Sequence, residues 1–376
     1  MTNYRLTPLR DTSANKGRII EKTRNNMQTP EQKPKRHWMP AMITACTLII
    51  AVFLAGPSIY QALFNKQNFT IEKVVIPNVP YPVLANAIYI DKTNEFIYSA
   101  DTGIYSFDVA NKQQTLLIKQ PNQIFDYAVS EKWLIWPQEE KNELKIHSLN
   151  RQTNEIQVYE TDYFYGIELK NDTLIFMGLT RINGNSSVAT YKVLNLNTGH
   201  TEVLREIGDG SNSRPTIDGS LITISERVKM ESGVSTNITV QDFEQLNDIG
   251  NYIVPYRYVE NISLVNNKVY GYMWNDREDE PAILGVVDLE SGQFERLKTS
   301  VSLHDYATDG EHFAIAVQKG KSNTVQLFET RDGKLERIST LPSIKERLVL
   351  PRFTKEGTLV VNGEGPDKAM YLIRFE

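Results

Sequence analysis

The chain has 376 residues with 41 Lys and Arg against 46 Asp and Glu, a net charge of −5. That charge is divided unevenly: residues 1–40 hold nine basic and three acidic side chains, net +6, which leaves the remainder at −11. An acidic body of this size lacks the positive face that nucleic-acid phosphates need, and no nucleic-acid partner is expected. The one cysteine, Cys46, excludes a disulfide framework and thiolate chemistry from everything downstream.

In chain order, residues 1–40 come first, a basic segment with one helix-compatible stretch, Asn15 to Met27. An isolated helix this short is marginal in water, so the expectation is a disordered or partly helical tail with room for a cytoplasmic partner. Residues 41–64 follow, without a single Asp, Glu, Lys, Arg or His. About 20 apolar residues suffice to cross the hydrocarbon core as a helix. The span is therefore expected to sit in the lipid bilayer, with Pro57 kinking it or ending its most apolar part. Lys33, Lys35 and Arg36 precede it and Trp38 stands at headgroup level, so the bias of positive charge puts the N-terminus in the cytoplasm. Cleavage as a signal peptide fits poorly, because Leu54 is too large for the outer small position and Pro57 follows the cut. The predicted location is the plasma membrane, single-pass, with residues 65–376 outside the cytoplasm.

Beyond the span, short alternating strands separated by Asn, Asp and Gly repeat at about 40 to 47 residues, the period of a four-stranded propeller blade. The recurring unit is an apolar strand, a turn and a second strand, centred near Asp108, Ser148, Asn195, Asp242, Asp288 and Glu329. Gly199, Gly292 and Gly333 stand where the turn needs a positive φ. Six units run from about residue 83 to 341. The C-terminal part supplies three more strands and stops before a fourth, while Phe69 to Ile76 is an orphan strand that could complete that last sheet. The expectation is an all-β propeller of seven blades, with six or eight as alternatives and a β-sandwich array as the structural rival. By period and turn chemistry, residues 69–376 resemble the broad β-propeller superfamily of TolB-like and WD40-like repeats. The Gly-His and Trp-Asp dipeptides of WD40 blades are absent.

Candidate chemistry is sparse. Ser99-Ala-Asp-Thr-Gly103 begins like the sialidase-type Asp box, but Ser106 replaces the closing Trp, and a β-turn explains it. Trp274 to Glu280 gathers four carboxylates in one loop, without the glycine and ligand count of a calcium site. The histidines are scattered, with His304–Asp305 and Glu311–His312 as the adjacent pairs that a pH-sensitive contact would use. No metal or other cofactor is expected. The aromatic residues Trp133, Trp136, Tyr163, Tyr165 and Trp274 are the candidate ligand-binding set, since a ring offers large contact area at low entropy cost. Packing between blades is the competing use of the same residues.

The functional expectation is therefore a membrane-tethered, non-enzymatic binding, sensing or scaffold domain for a protein, peptide or envelope polymer. Two alternatives stand beside it. The layout of basic tail, single span and exported domain resembles transmembrane anti-sigma regulators, which implies signalling through residues 1–40. A carbohydrate-active or lyase propeller would instead gather two or more carboxylates with a His or Arg in its central mouth.

Overall fold

The computed structural model describes residues 69–375 except 121, 184–185, 209–213, 232, 277–279, 299–304, 320–321, 332–333, 340 and 342–343. The tail and the apolar run 41–64 lie outside the described residues. Among the described residues no helix is long and apolar enough to cross a membrane.

Local chemistry dictates a repeated turn. In the first sheet, β2 (Ile88–Ile90), β3 (Glu95–Ala100), β4 (Gly103–Asp108) and β5 (Gln113–Lys119) form an antiparallel meander. The β4–β5 turn begins where Asp108 Oδ1 accepts the Asn111 amide at 2.9 Å. Asn150, Asn195, Asp242 and Asp288 do the same in the next four sheets, each accepting an amide two or three residues on. Four residues after each acceptor comes a left-handed residue: Lys112, Asn154, Gly199, Leu246 and Gly292, with φ between 54° and 72°. An Asx side chain tightens the corner and the αL residue reverses the chain. Lys112 and Leu246 adopt that conformation without glycine's freedom, at a cost of roughly 1 kcal/mol each. Two registers differ from the sequence reading. Ser148 is buried within its strand and Asn150 makes the turn, while Glu329 pairs with Glu336 inside a ladder that runs on to Arg331.

Seven four-stranded sheets result. The innermost strands are β2, β6 (Ala128–Val129), β10 (Tyr165–Lys170), β14 (Thr216–Asp218), β18 (Tyr258–Val265), β22 (Asp305–Thr308) and β26 (Leu348–Phe353). From β6 to β26 each neighbours the next, so the ring surrounds a central channel. The seventh sheet has the order β1-β28-β27-β26, with β1 (Phe69–Val74), β27 (Leu359–Gly363) and β28 (Met370–Phe375). The orphan strand therefore supplies the outer edge of the last blade, pairing Phe69 with Phe375 and Val74 with Met370. The first strand of the propeller is clasped to its last, which closes the ring as the strand count requires.

Apolar alternation does the packing. A hydrophobic cluster lies at each of the seven interfaces between blades. Where blade seven meets blade one, Val360, Met370 and Leu372 pack on Phe96 and Tyr98, and the short helix α1 (Tyr81–Leu84) buries Val83 and Leu84 there. Arg352 adds polar stitching: its guanidinium donates to Leu350 O, to Asn362 Oδ1 at 2.6 Å and across to Ala87 O at 2.9 Å. With only neutral acceptors around it, burial lowers its pKa to about 10.

Candidate functional site

Each inner strand starts at one end of the channel, here termed the mouth. The chain reaches it through the connection from the previous outer strand. The opposite end is built from turns between first and second strands, and Phe69 enters the domain at that turn end.

Three inner strands carry a bulge close to the mouth. Gly166 and Ile167 in β10, Asn261 and Ile262 in β18, and Leu350 and Pro351 in β26 each oppose a single residue on the partner strand. The first residue of every pair is left-handed: Gly166 at 59°, Asn261 at 54° and Leu350 at 53°. Such bulges re-aim the side chains that follow them. The residues set immediately after the three bulges are Glu168, Ser263 and Arg352.

Glu168 is the acid of the three. Its carboxyl lies deep among protein atoms yet keeps contact with channel solvent. Desolvation pushes its pKa up to about 7, against the pull of Lys355 and Arg214. Lys355 approaches from the turn end of blade seven, where its Nζ donates to Leu169 O of blade three at 2.8 Å, a link across the ring. Because the folded pKa lies above the ordinary value of 4.5, native protein keeps a proton that the unfolded chain releases. Stability contributed by the neutral form is therefore complete below about pH 4.5 and is lost as pH rises through 7. Glu168→Gln is expected to match wild type at pH 4.5 and to melt a few °C higher at pH 8, measured by thermal unfolding at both pH values. Equal melting temperatures at pH 8 would show that the carboxyl is well solvated.

The mouth above Glu168 is aromatic and charged. Phe125 is 65% exposed, Tyr163 39% and Tyr165 41%. The two tyrosine rings lie 6.5 Å apart, and the Arg214 guanidinium sits 5.7 Å from the centre of the Tyr165 ring. Arg214 also pairs with Asp126 at 2.8 Å, linking the entry segments of blades two and four past blade three. An exposed ion pair of this kind adds little stability, so its consequence is the position of the guanidinium. Gly166 suits the left-handed corner of the bulge by its φ of 59°, while a Cβ there would make only an ordinary contact with Pro215 Cδ at 3.4 Å.

The five aromatic candidates separate. Tyr163 and Tyr165 come together at the mouth. Trp274 is half-buried on blade five, stacked on Tyr258 and against Tyr272. Trp133 and Trp136 are only 2% and 1% exposed and offer no surface to a ligand. Alternation along β7 (Trp133–Glu140) sends Trp136 to blade one and Trp133 to blade three, where its Nε1 donates to Asp172 at 2.8 Å. The mouth residues Phe125, Asp126, Glu168 and Arg214 carry no motif. In the sequence a connection with two glycines, Gly208 to Ser213, stands directly before Arg214-Pro215.

The remaining motifs are turns and loops. Asp101 and Gly103 lie at the β3–β4 turn, and Ser99 Oγ accepts the Ile124 amide at 2.8 Å. His312 pairs with Asp309 at 3.0 Å rather than with Glu311. His304 and most of the acidic loop after Asp276 lie outside the described residues, and among the described residues no group of three His, Cys, Asp or Glu could hold a metal ion.

Fold and channel define a seven-bladed β-propeller, the architecture that the period and turn chemistry of the repeats implied. No protein-family model and no curated protein sequence matches it. Solved structures do. An oligogalacturonate lyase in complex with manganese is 12% identical, with a TM-score of 0.54 over 82% of this chain and 96% of that one. Prolyl endopeptidases match with 14% identity and a TM-score of 0.54, over 91% of this chain and 56% of theirs. The β-propeller domain of the Trilobed protease from Pyrococcus furiosus, described as having an open velcro topology, is 14% identical with a TM-score of 0.50, over 67% and 82%. At these identities the likeness is one of fold. It nevertheless corrects the expectation of a non-enzymatic domain: enzymes share this architecture, and the fold gives no ground for excluding catalysis.

Proposed function

We propose that this chain is a membrane-anchored, extracytoplasmic propeller that recognises a protein, peptide or envelope polymer at the mouth of its channel. The uncharged run 41–64 and the basic residues before it support the anchor and its orientation. One observation carries the recognition site: exposed Phe125, Tyr163 and Tyr165 converge with the Arg214–Asp126 pair. Aromatic rings and arginine are the side chains that concentrate binding energy at interfaces. Because Phe69 enters at the turn end, the mouth lies opposite the point where the preceding chain joins the domain.

Photo-crosslinking in intact expressing cells tests this reading. A crosslinker at Asp162, exposed beside Tyr163, is expected to trap an envelope component, and one at Ile249 on the outer edge of blade four is not. Adducts at Ile249 alone, or none at Asp162, would refute a mouth-binding site. A catalytic reading has one observation in its favour. The channel brings Glu168, its pKa pushed up to about 7 by desolvation, near Arg214 and Lys355, which supplies an acid and the Arg but only one of the two or more carboxylates that a carbohydrate-active propeller would gather. The Glu168→Gln protein tests it directly, through loss of turnover on envelope polysaccharide.

A further inference from the structure

A second aromatic group stands on blade five and differs in its charge. β18 and β19 (Lys268–Trp274) pair so that Tyr258 faces Trp274 and Glu260 faces Tyr272. Directly opposed residues share one face of a sheet, so all four side chains project together toward blade six. Tyr258 and Trp274 stack with centroids 5.3 Å apart and planes 18° from parallel, and Tyr272 lies 5.1 Å from Trp274. Over Tyr258, at 5.3 Å, sits the guanidinium of Arg257, held by an ion pair with Asp276. The protein thus places one cation of its own on this ladder of rings.

Among the described residues, the charge around the rings is negative. Glu260 is exposed and makes no ion pair among the described residues. Asp305, on the adjoining inner strand, accepts hydrogen bonds from Asn261 Nδ2 and from the Tyr306 amide at 2.9 Å, both neutral donors. Among the described residues no cation compensates its burial, and its pKa is lifted to about 6. Asn261, the left-handed residue of the β18 bulge, joins the two carboxylate positions into one wall, since it follows Glu260 directly and binds Asp305.

We propose that the wall formed by Tyr258, Glu260, Tyr272, Trp274 and Asp305 binds the side-chain cations of a basic peptide, a Lys ammonium or an Arg guanidinium. The proposal goes beyond the mouth-binding reading above: it adds a second wall, on blades five and six, with its own ligand class. Aromatic faces attract cations through the ring quadrupole, and an adjacent carboxylate completes the charge balance. An anionic ligand would meet Glu260, Asp305 and Asp276, and a neutral ligand would leave the first two uncompensated. The net charge of −11 beyond residue 40 adds long-range attraction for a basic partner.

Titrating full-length protein in detergent with hexalysine, by calorimetry and tryptophan fluorescence, tests the assignment. Hexaglutamate and a glucosamine hexamer serve as comparison ligands. Hexalysine is expected to bind and to change the fluorescence, while hexaglutamate does not bind. Glu260→Gln and Trp274→Ala should each weaken hexalysine at least tenfold, and Trp274→Phe, which keeps a ring, by no more than about threefold. Glu260 is exposed, so its variant keeps the fold, and near-UV circular dichroism verifies the tryptophan variants. Absence of hexalysine binding, or binding unchanged in both Glu260→Gln and Trp274→Ala, would overturn the proposal. Tighter binding of the glucosamine hexamer than of hexalysine would also overturn it, in favour of a cationic glycan. Crosslinks at Asp162 with no hexalysine binding would leave the mouth reading standing alone; hexalysine binding without those crosslinks would do the reverse.

Discussion

Deleting residues 69–74 is expected to abolish cooperative folding of the propeller. β1 forms the entire outer edge of the seventh blade, and its six residues pair in unbroken register with β28. Phe69 and Val74 are buried, at the interfaces with blade six and blade one respectively. Burying those two side chains contributes about 3–5 kcal/mol, and the lost ladder adds roughly 1 kcal/mol per hydrogen bond. The sum approaches the whole net stability of an ordinary domain, about 5–15 kcal/mol. Deletion also exposes β28 as an unpaired edge, a template for aggregation. Urea unfolding of the full chain and its deletion variant, with size-exclusion chromatography, measures the effect. A deletion variant that stays monodisperse and unfolds within about 1 kcal/mol of wild type would show that the ring does not depend on this clasp.

Trp136→Ala is expected to destabilise the protein by about 3–5 kcal/mol, the usual cost of emptying a large aromatic site in a core. Its ring is buried between blades one and two and stacks on His147 at 5.4 Å. Ile97, Ile104 and Leu134 share its buried cluster, so the cavity would open inside an apolar interface between two sheets. Tyr165→Ala is the contrasting case. Its ring is 41% exposed at the mouth, so the stability change should stay within about 1 kcal/mol while crosslinking at the mouth falls. Chemical denaturation of both variants checks the pair. Similar losses from the two would mean that the mouth aromatics are structural.

Both results turn on how far the sequence could be read. Strand alternation, the Asx residues at 108, 195, 242 and 288, and the glycines at 199 and 292 are local signals. Each acts within four or five residues, so the repeat was legible, and so was the missing strand that Phe69 to Ile76 fills. Where the local signal was degenerate the reading slipped. Ser148 looked like a turn residue because Asn150, two places on, lies on the same side of the strand. Glu329 fitted the period although the ladder continues past it.

The sequence by itself pointed to an all-β repeat, favoured seven blades over six or eight, and offered an N-terminal strand for the incomplete last blade, because those signals act within a few residues; the sheet pairing settled the count and the closure. Only the tertiary structure decided which aromatic residues are walls and which are surface. Trp133, Trp136 and Tyr165 all offer an aromatic face, and what separates them as surface or core is which neighbouring sheet lies against each. The same holds for Glu168. Its proton affinity is set by desolvation within the channel and by Arg214 and Lys355 from distant blades, none of which is encoded near residue 168. A site assembled from blades two, three, four and seven has no contiguous signature, because closing the ring is what brings its members together.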